Sequence, residues 1–309
     1  AFAAWFAPPC ARRLAGLADP PRGRLQKAPG DDHACAQTAD AGRTTVALAS
    51  GSALAQTNLK IASAAQPGSV LIGFVDETAD KINKGSNGAL KTERLFIGSE
   101  QEITTQVARG RLEMGSISYT GTSVLIPEAA VLNMPYLWKS DGERDFVTDN
   151  FALPVMKKIF ESKGLVILGL GEVGWNDVVC KKACLTPADV KGMKVRVSPA
   201  ASSKMFWGAL NTNGVQMPLS ELFPALQSGL VEGADLPFLY YITTPAAQSA
   251  PHYVMTRHLH HGSTFVINKG VWDKLTPDQQ KLVASARPEA ARVRKEVTDS
   301  PLSFDNFRD

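Results

Sequence analysis

Apolar and polar positions alternate with two different periods along the chain. Residues 60–64 form a short apolar run of strand length. Residues 69–84 follow with Leu71, Phe74, Val75 and Ile82 at helical spacing behind Ser69, and Gly85 supplies the stop. Residues 90–97 predict a second strand. Ser99 and Glu102 form an S-x-x-E capping box that opens a helix through Ile103 and Val107 to Gly110, and 114–119 predict a third strand. Strand, helix, strand, helix, strand is the pattern of an α/β chain with a parallel sheet and right-handed crossovers. A helix over 142–163 and a strand over 165–170 lead to Gly174 and Trp175, after which 177–180 cross into a second lobe.

In that second lobe Thr186 caps a short helix, with Pro187 first and Asp189 as the capping-box partner, and Gly192 ends it. Met193, Val195 and Val197 then alternate with Lys194 and Arg196, so one side of a strand packs while Arg196 projects from the other. An arginine on a rigid strand suits a bidentate grip on a carboxylate, although a surface arginine or an interlobe ion pair produces the same pattern. A helix with Leu222, Phe223 and Leu226 on one face ends at Gly229, a helix over 202–210 and a strand over 215–217 continue the lobe, and 258–267 return to the first.

Five segments carry a resemblance. KGMKVRV at 191–197, NGVQMPLSELFPALQSGLVEGADLP at 213–237, FVINKGVWDKLTPDQQ at 265–280, QEITTQVARGRLEMGSIS at 101–118 and IPEAAVLNMPYLW at 126–138 occur in order. Together they resemble the substrate-binding proteins of TRAP transporters, from about Leu59 to the end. The resemblance implies a two-lobe, periplasmic-binding-protein-like α/β fold with strand crossovers forming a hinge. Lobe one spans 57–176 plus about 262–285, lobe two 177–261, and 286–309 form a C-terminal helical segment cut short relative to the family. It further implies periplasmic capture of a small organic acid and delivery to TRAP permease membrane subunits. The alternatives are a small-molecule α/β enzyme and a ligand-sensing domain.

The resemblance also assigns site residues. The family arginine that holds the substrate carboxylate matches Arg196. A second family arginine aligns with Asn176, whose amide hydrogen-bonds without charge assistance. The family's polar residue before a turn proline is Leu236 here, preceded by Asp235. These departures favour a smaller or more apolar carboxylate over a polar sugar acid. Trp175, Tyr119 and Phe238, with Tyr240 and Tyr241, are candidate aromatic walls, and Gln66 lies in the loop where lobe one meets ligand.

Composition changes this picture little. The chain of 309 residues is 44% hydrophobic and 20% charged, with a net charge of +3, which supports two core-bearing lobes and gives no basic groove for nucleic acid. No run reaches the roughly 18 to 20 apolar residues of a membrane span. Residues 1–43 are crowded with Ala, Pro, Arg, Gly and Asp, place Cys10 and Cys35 in no framework, and are not expected to fold; the first methionine is Met114, compatible with a misassigned reading frame upstream. Residues 44–56 turn small and apolar, with Ala53-Leu54-Ala55 as an A-x-A site, the pattern of a signal-peptide tail or of an alanine-rich linker.

Cys180 and Cys184 are spaced for a local disulfide in an exported protein, with two buried thiols as the alternative; a zinc site needs two further ligands that the neighbourhood lacks. His258, His260 and His261 have no accompanying carboxylate or cysteine and read as structural. No catalytic, phosphate-loop or dinucleotide signature occurs, so neither an enzyme nor a cofactor is expected.

Overall fold

The computed structural model describes residues 56–65 and 69–298. The leader expected over 1–56, apart from Gln56, together with Gln66 and the tail 301–309, lies outside the described residues. An 8-stranded sheet is formed by Thr57–Ser63 (β1), Leu90–Phe96 (β2), Met114–Ser118 (β3), Leu165–Cys180 (β4), Lys194–Val197 (β5), Asn213–Gln216 (β6), Gly233–Pro237 (β7) and His252–Asn268 (β8). Its order is β2-β1-β3-β8-β4-β7-β5-β6. β1 runs parallel to β2 and β3, and β5 parallel to β6 and β7, whereas β4 and β8 are antiparallel to each other and to their outer neighbours.

Each parallel half carries cores on both faces. In the first lobe Ile103, Val107, Phe160 and Val266 pack on one side, and Leu59, Ile61, Ile82 and Ile267 on the other. In the second, Leu222, Leu226 and Leu236 pack opposite Val195, Val197 and Trp207. Helices over Val70–Gly85, Glu100–Ala108 and Leu219–Ser228 cover these faces, the first two capped by the Ser69 and Ser99 hydroxyls and the third ended by Gly229 at φ 76°.

Three features depart from the pattern-based expectation. β4 is one continuous strand of 16 residues, not two, because β-bulges absorb its bend. β8 likewise starts at His252 and runs 17 residues. The helix over 142–163 is interrupted by a π turn at Thr148–Ala152, immediately before Pro154, which has no N–H to continue the ladder. Pro288, which has no N–H to donate, separates the helices Pro277–Ala286 and Ala290–Thr298.

Cys180 and Cys184 are disulfide-bonded and buried, tying the end of β4 to the segment that enters the Pro187–Val190 helix. With a sequence separation of 4, the loop-closure account assigns the bond about 2 kcal/mol. Urea unfolding of the double variant Cys180→Ala/Cys184→Ala is expected to show that loss, and adding reductant should lower the parent's midpoint while leaving the variant's unchanged.

Candidate functional site

The carboxyl ends of β1, β3, β5 and β7 meet at one cavity of about 1080 Å³, counting its open mouth. Ser63 and Ala65, Ser116 and Ser118, Ser198, and Leu236 with Pro237 contribute from those strand ends, the place where open α/β sheets receive ligands. β8 adds Leu259, His261, Ser263 and Phe265, alternate residues that share one face of the strand.

Arg196 forms part of this cavity. Val195 and Val197 turn into the core on one side of β5, and Arg196 turns to the other, where it is only 6% exposed. Its Nε–H donates to the Met217 carbonyl at 3.1 Å, and no carboxylate among the described residues comes within ion-pair distance of it. Burial lowers its pKa, opposed by the charges of Asp235 and Glu100. Both carboxylates line the cavity and are already engaged. Glu100 accepts from the Ser118 N–H at 2.9 Å and from the Ser118 hydroxyl. Asp235 accepts from Asn176 Nδ2 at 2.7 Å and Trp207 Nε1 at 2.9 Å, with His258 Nε2 3.7 Å away.

Burial pushes the Asp235 pKa up, but His258, then Arg196 and the Trp207 bond, outweigh it and hold the carboxyl well below its ordinary range. Asn176 gives one Nδ2–H to Asp235, and its Oδ1 is buried without a partner. That leaves an acceptor, suited to a hydroxyl of a ligand and not to a carboxylate. Ser198 Oγ, both ring nitrogens of His261 and Arg287 Nε are likewise buried without partners, and all four residues line the cavity. Burial lowers the His261 pKa, favouring the neutral imidazole. This lining runs against the expectation of an apolar acid, since buried polar groups without partners are costly unless a ligand satisfies them.

The aromatic candidates separate. Leu236 reaches the cavity while packing in the second-lobe core. Tyr119 does not reach it: its ring fills a core beside Gly262, where an added Cβ would lie 2.5 Å from it, and burial pushes its hydroxyl pKa up. Trp175 and Phe238 line a second hollow that shares Glu172 and Val173 with the first. There Trp175 Nε1 donates to Asp141 at 2.9 Å, its ring meets His260 edge-on at 5.3 Å, and the Arg257 guanidinium lies 5.0 Å above it. Tyr240 reaches the cavity and donates its hydroxyl to the Ala64 carbonyl at 2.8 Å, linking the two lobes; Tyr241 packs in the second-lobe core.

The histidines divide as well. His258 stacks on Phe206 at 3.6 Å, His260 pairs with Glu172, and His261 faces the cavity. Among the described residues no cluster of three or more His, Cys, Asp or Glu side chains is placed to hold a metal ion. The pattern-based reading missed Glu100, Ser118, Ser198, His261 and Arg287. Glu100, Ser118 and Ser198 sit at or beside strand ends that the sheet topology brings together, and His261 lies inside β8 where that strand passes them; that topology was the available signal.

Residues 61–300 match the family model for bacterial extracellular solute-binding protein, family 7. A solute-binding protein of Verminephrobacter eiseniae is 27% identical over 252 residues, covering 80% of this chain and 75% of its own. The 2,3-diketo-L-gulonate-binding periplasmic protein of Escherichia coli is 28% identical over 229 residues, 71% of this chain and 69% of its own. A TRAP periplasmic solute-binding protein from Pseudomonas putida F1, solved with bound D-glucuronate, aligns with a TM-score of 0.74 at 27% identity, over 79% of this chain and 81% of that one.

Asp235 gives the site a pH signature. Its folded pKa lies below its ordinary 3.8, so its contribution is present above that pH and is lost as pH falls toward the folded value. Asp235→Asn is expected to cost about 3 kcal/mol near neutrality, because it removes the buried carboxylate that accepts from Asn176 and Trp207 and faces His258. The variant should also lose less stability than the parent between about pH 4 and pH 2 in urea titrations. Parallel slopes for the two proteins would refute this assignment.

Proposed function

The chain belongs to bacterial extracellular solute-binding protein family 7, and on that premise we propose that it captures a small organic acid in the periplasm and passes it to a TRAP-type permease. The observation that carries this reading is Arg196: a guanidinium buried at the meeting of two lobes, with no ion-pair partner among the described residues. A cation in that setting is expensive without an anion, and a carboxylate accepting from its fork supplies one. In this reading the lobes are 57–176 with about 262–285 and 177–261, with β4 and β8 as the hinge between them. Lobe closure buries the ligand, where charge-assisted hydrogen bonds are stronger than in water.

The unpartnered atoms of Asn176, Ser198 and His261 favour an acid that also carries hydroxyls. We place Arg196, Asn176, Asp235 and Leu236 at the ligand, with Asp235 orienting Asn176, and assign Trp175 and Phe238 to the neighbouring hollow. The reading is of capture without chemistry and needs no cofactor. No helix among the described residues is long and apolar enough to cross a membrane.

A thermal-shift screen of organic acids, D-glucuronate among them, should identify stabilising ligands, and calorimetry then tests the anchor. Arg196→Ala is expected to keep the fold, since Val195 and Val197 do the packing. It removes a pair worth roughly 2 to 5 kcal/mol, about 30-fold or more in affinity. Lysine should restore only part, because a point charge does not reproduce the fork. Binding by Arg196→Ala within about threefold of the parent would place the carboxylate elsewhere.

A further inference from the structure

The cavity holds a second unpaired cation. Arg287 follows the Pro277–Ala286 helix and extends over β4, where its Nη2 donates to the Leu170 carbonyl at 2.6 Å. Two glycines make room for it: a Cβ at Gly169 would lie 2.9 Å from Arg287 Cδ, and one at Gly171 2.8 Å from Nη2. The guanidinium also lies 5.1 Å from the centre of the Phe265 ring. The slot therefore fixes the side chain by shape, one carbonyl and an aromatic face, none of which neutralises its charge.

The other largely buried arginines contrast with it. Arg144 pairs with Asp141 at 2.6 Å and Asp145 at 2.7 Å, and Arg294 pairs with Asp149 at 2.6 Å. Arg287 has no ion pair among the described residues, and its Nε is buried with no acceptor. Burial pushes its pKa down to about 10, and no carboxylate among the described residues opposes that shift. Arg196 at least feels Asp235 and Glu100; Arg287 feels neither. An isolated, half-buried cation whose Nε is buried without an acceptor, facing a ligand cavity, is the expected form of an anion site whose anion is the ligand.

We propose that Arg287 is a second anion anchor, so that the solute is a diacid, with one carboxylate on Arg196 and the second anionic group on Arg287. The proposal rests on the carboxylate reading of Arg196 and adds to it a specificity-determining residue from the C-terminal segment.

Matched acids test it by calorimetry on the whole protein: succinate against butyrate, and galactarate against galactonate. The parent should bind the diacid of at least one pair more tightly by about tenfold or more. Arg287→Gln should remove that preference, weakening the diacid about tenfold or more while leaving the monoacid within about threefold. Arg287→Lys, which keeps the charge and is the safer variant if glutamine compromises folding, should fall between the two. A parent that prefers the monoacids, or an Arg287→Gln loss equal for both members of a pair or absent from both, overturns the diacid assignment and leaves Arg196 standing. Failure of every acid to bind the parent overturns the carboxylate reading, and this one with it.

Discussion

The ladder between β4 and β8 governs where every other group can point. These two strands run unbroken through both lobes, so their register decides which side chains meet the cavity and which turn away. From Phe265 back to Leu259, β8 keeps its odd-numbered residues on the cavity face. β4 faces them with Gly169 opposite Phe265 and Gly171 opposite Ser263. Then Val173 is left without a partner, between the pairs Glu172 with Gly262 and Gly174 with His261. That one extra residue switches the parity of β4, placing Asn176 opposite Leu259 on the cavity side and Trp175 opposite His260 on the other. Without the bulge, Trp175 would face the ligand and Asn176 would not.

The sheet therefore explains the uneven electrostatics of the two hollows. Around Trp175 the charges satisfy one another: Arg144 with Asp141 and Asp145, His260 with Glu172, and Arg257 over the indole. Burial works to raise the Glu172 pKa, but His260, then Arg144 and the Gly174 N–H, outweigh it and hold the carboxyl ionised. In the main cavity the carboxylates are committed and the guanidinium groups are not. Glu100 and Asp235 are saturated by Ser118, Asn176 and Trp207, while Arg196 and Arg287 retain free N–H groups. A packed interior does not retain such an imbalance without cost, and an anionic ligand offsets it; binding and stability are then linked, and the empty cavity is the less stable state.

Much of the frame was legible in the sequence because the signals involved are local. The capping residues Ser69 and Ser99, the Thr186–Asp189 box, and the left-handed Gly229 each depend on a few neighbouring residues, and each appears where the pattern placed it. The alternation around Arg196 gave its direction for the same reason. The bulge at Val173 had no such signal, so adjacent residues Trp175 and Asn176 were both assigned to the ligand although a strand cannot aim both the same way. The polarity of Asn176 was equally hidden. Which half of its amide remains free depends on Asp235, 59 residues away.

Arg287 marks the limit of local reading more sharply, since its carbonyl partner lies 117 residues away and its slot consists of two glycines on a different element. The C-terminal segment that carries it also sets Val293 and Val297 against Phe74 and beside Leu239. Phe74 belongs to the first-lobe helix Val70–Gly85, and Leu239 to the helix Phe238–Thr243 that follows β7 in the second. The segment thus touches both sides of the cleft, as does the Tyr240 bond to Ala64. Opening about the β4 and β8 ladder would have to separate those contacts, which couples this apolar clasp to the proposed capture at Arg196.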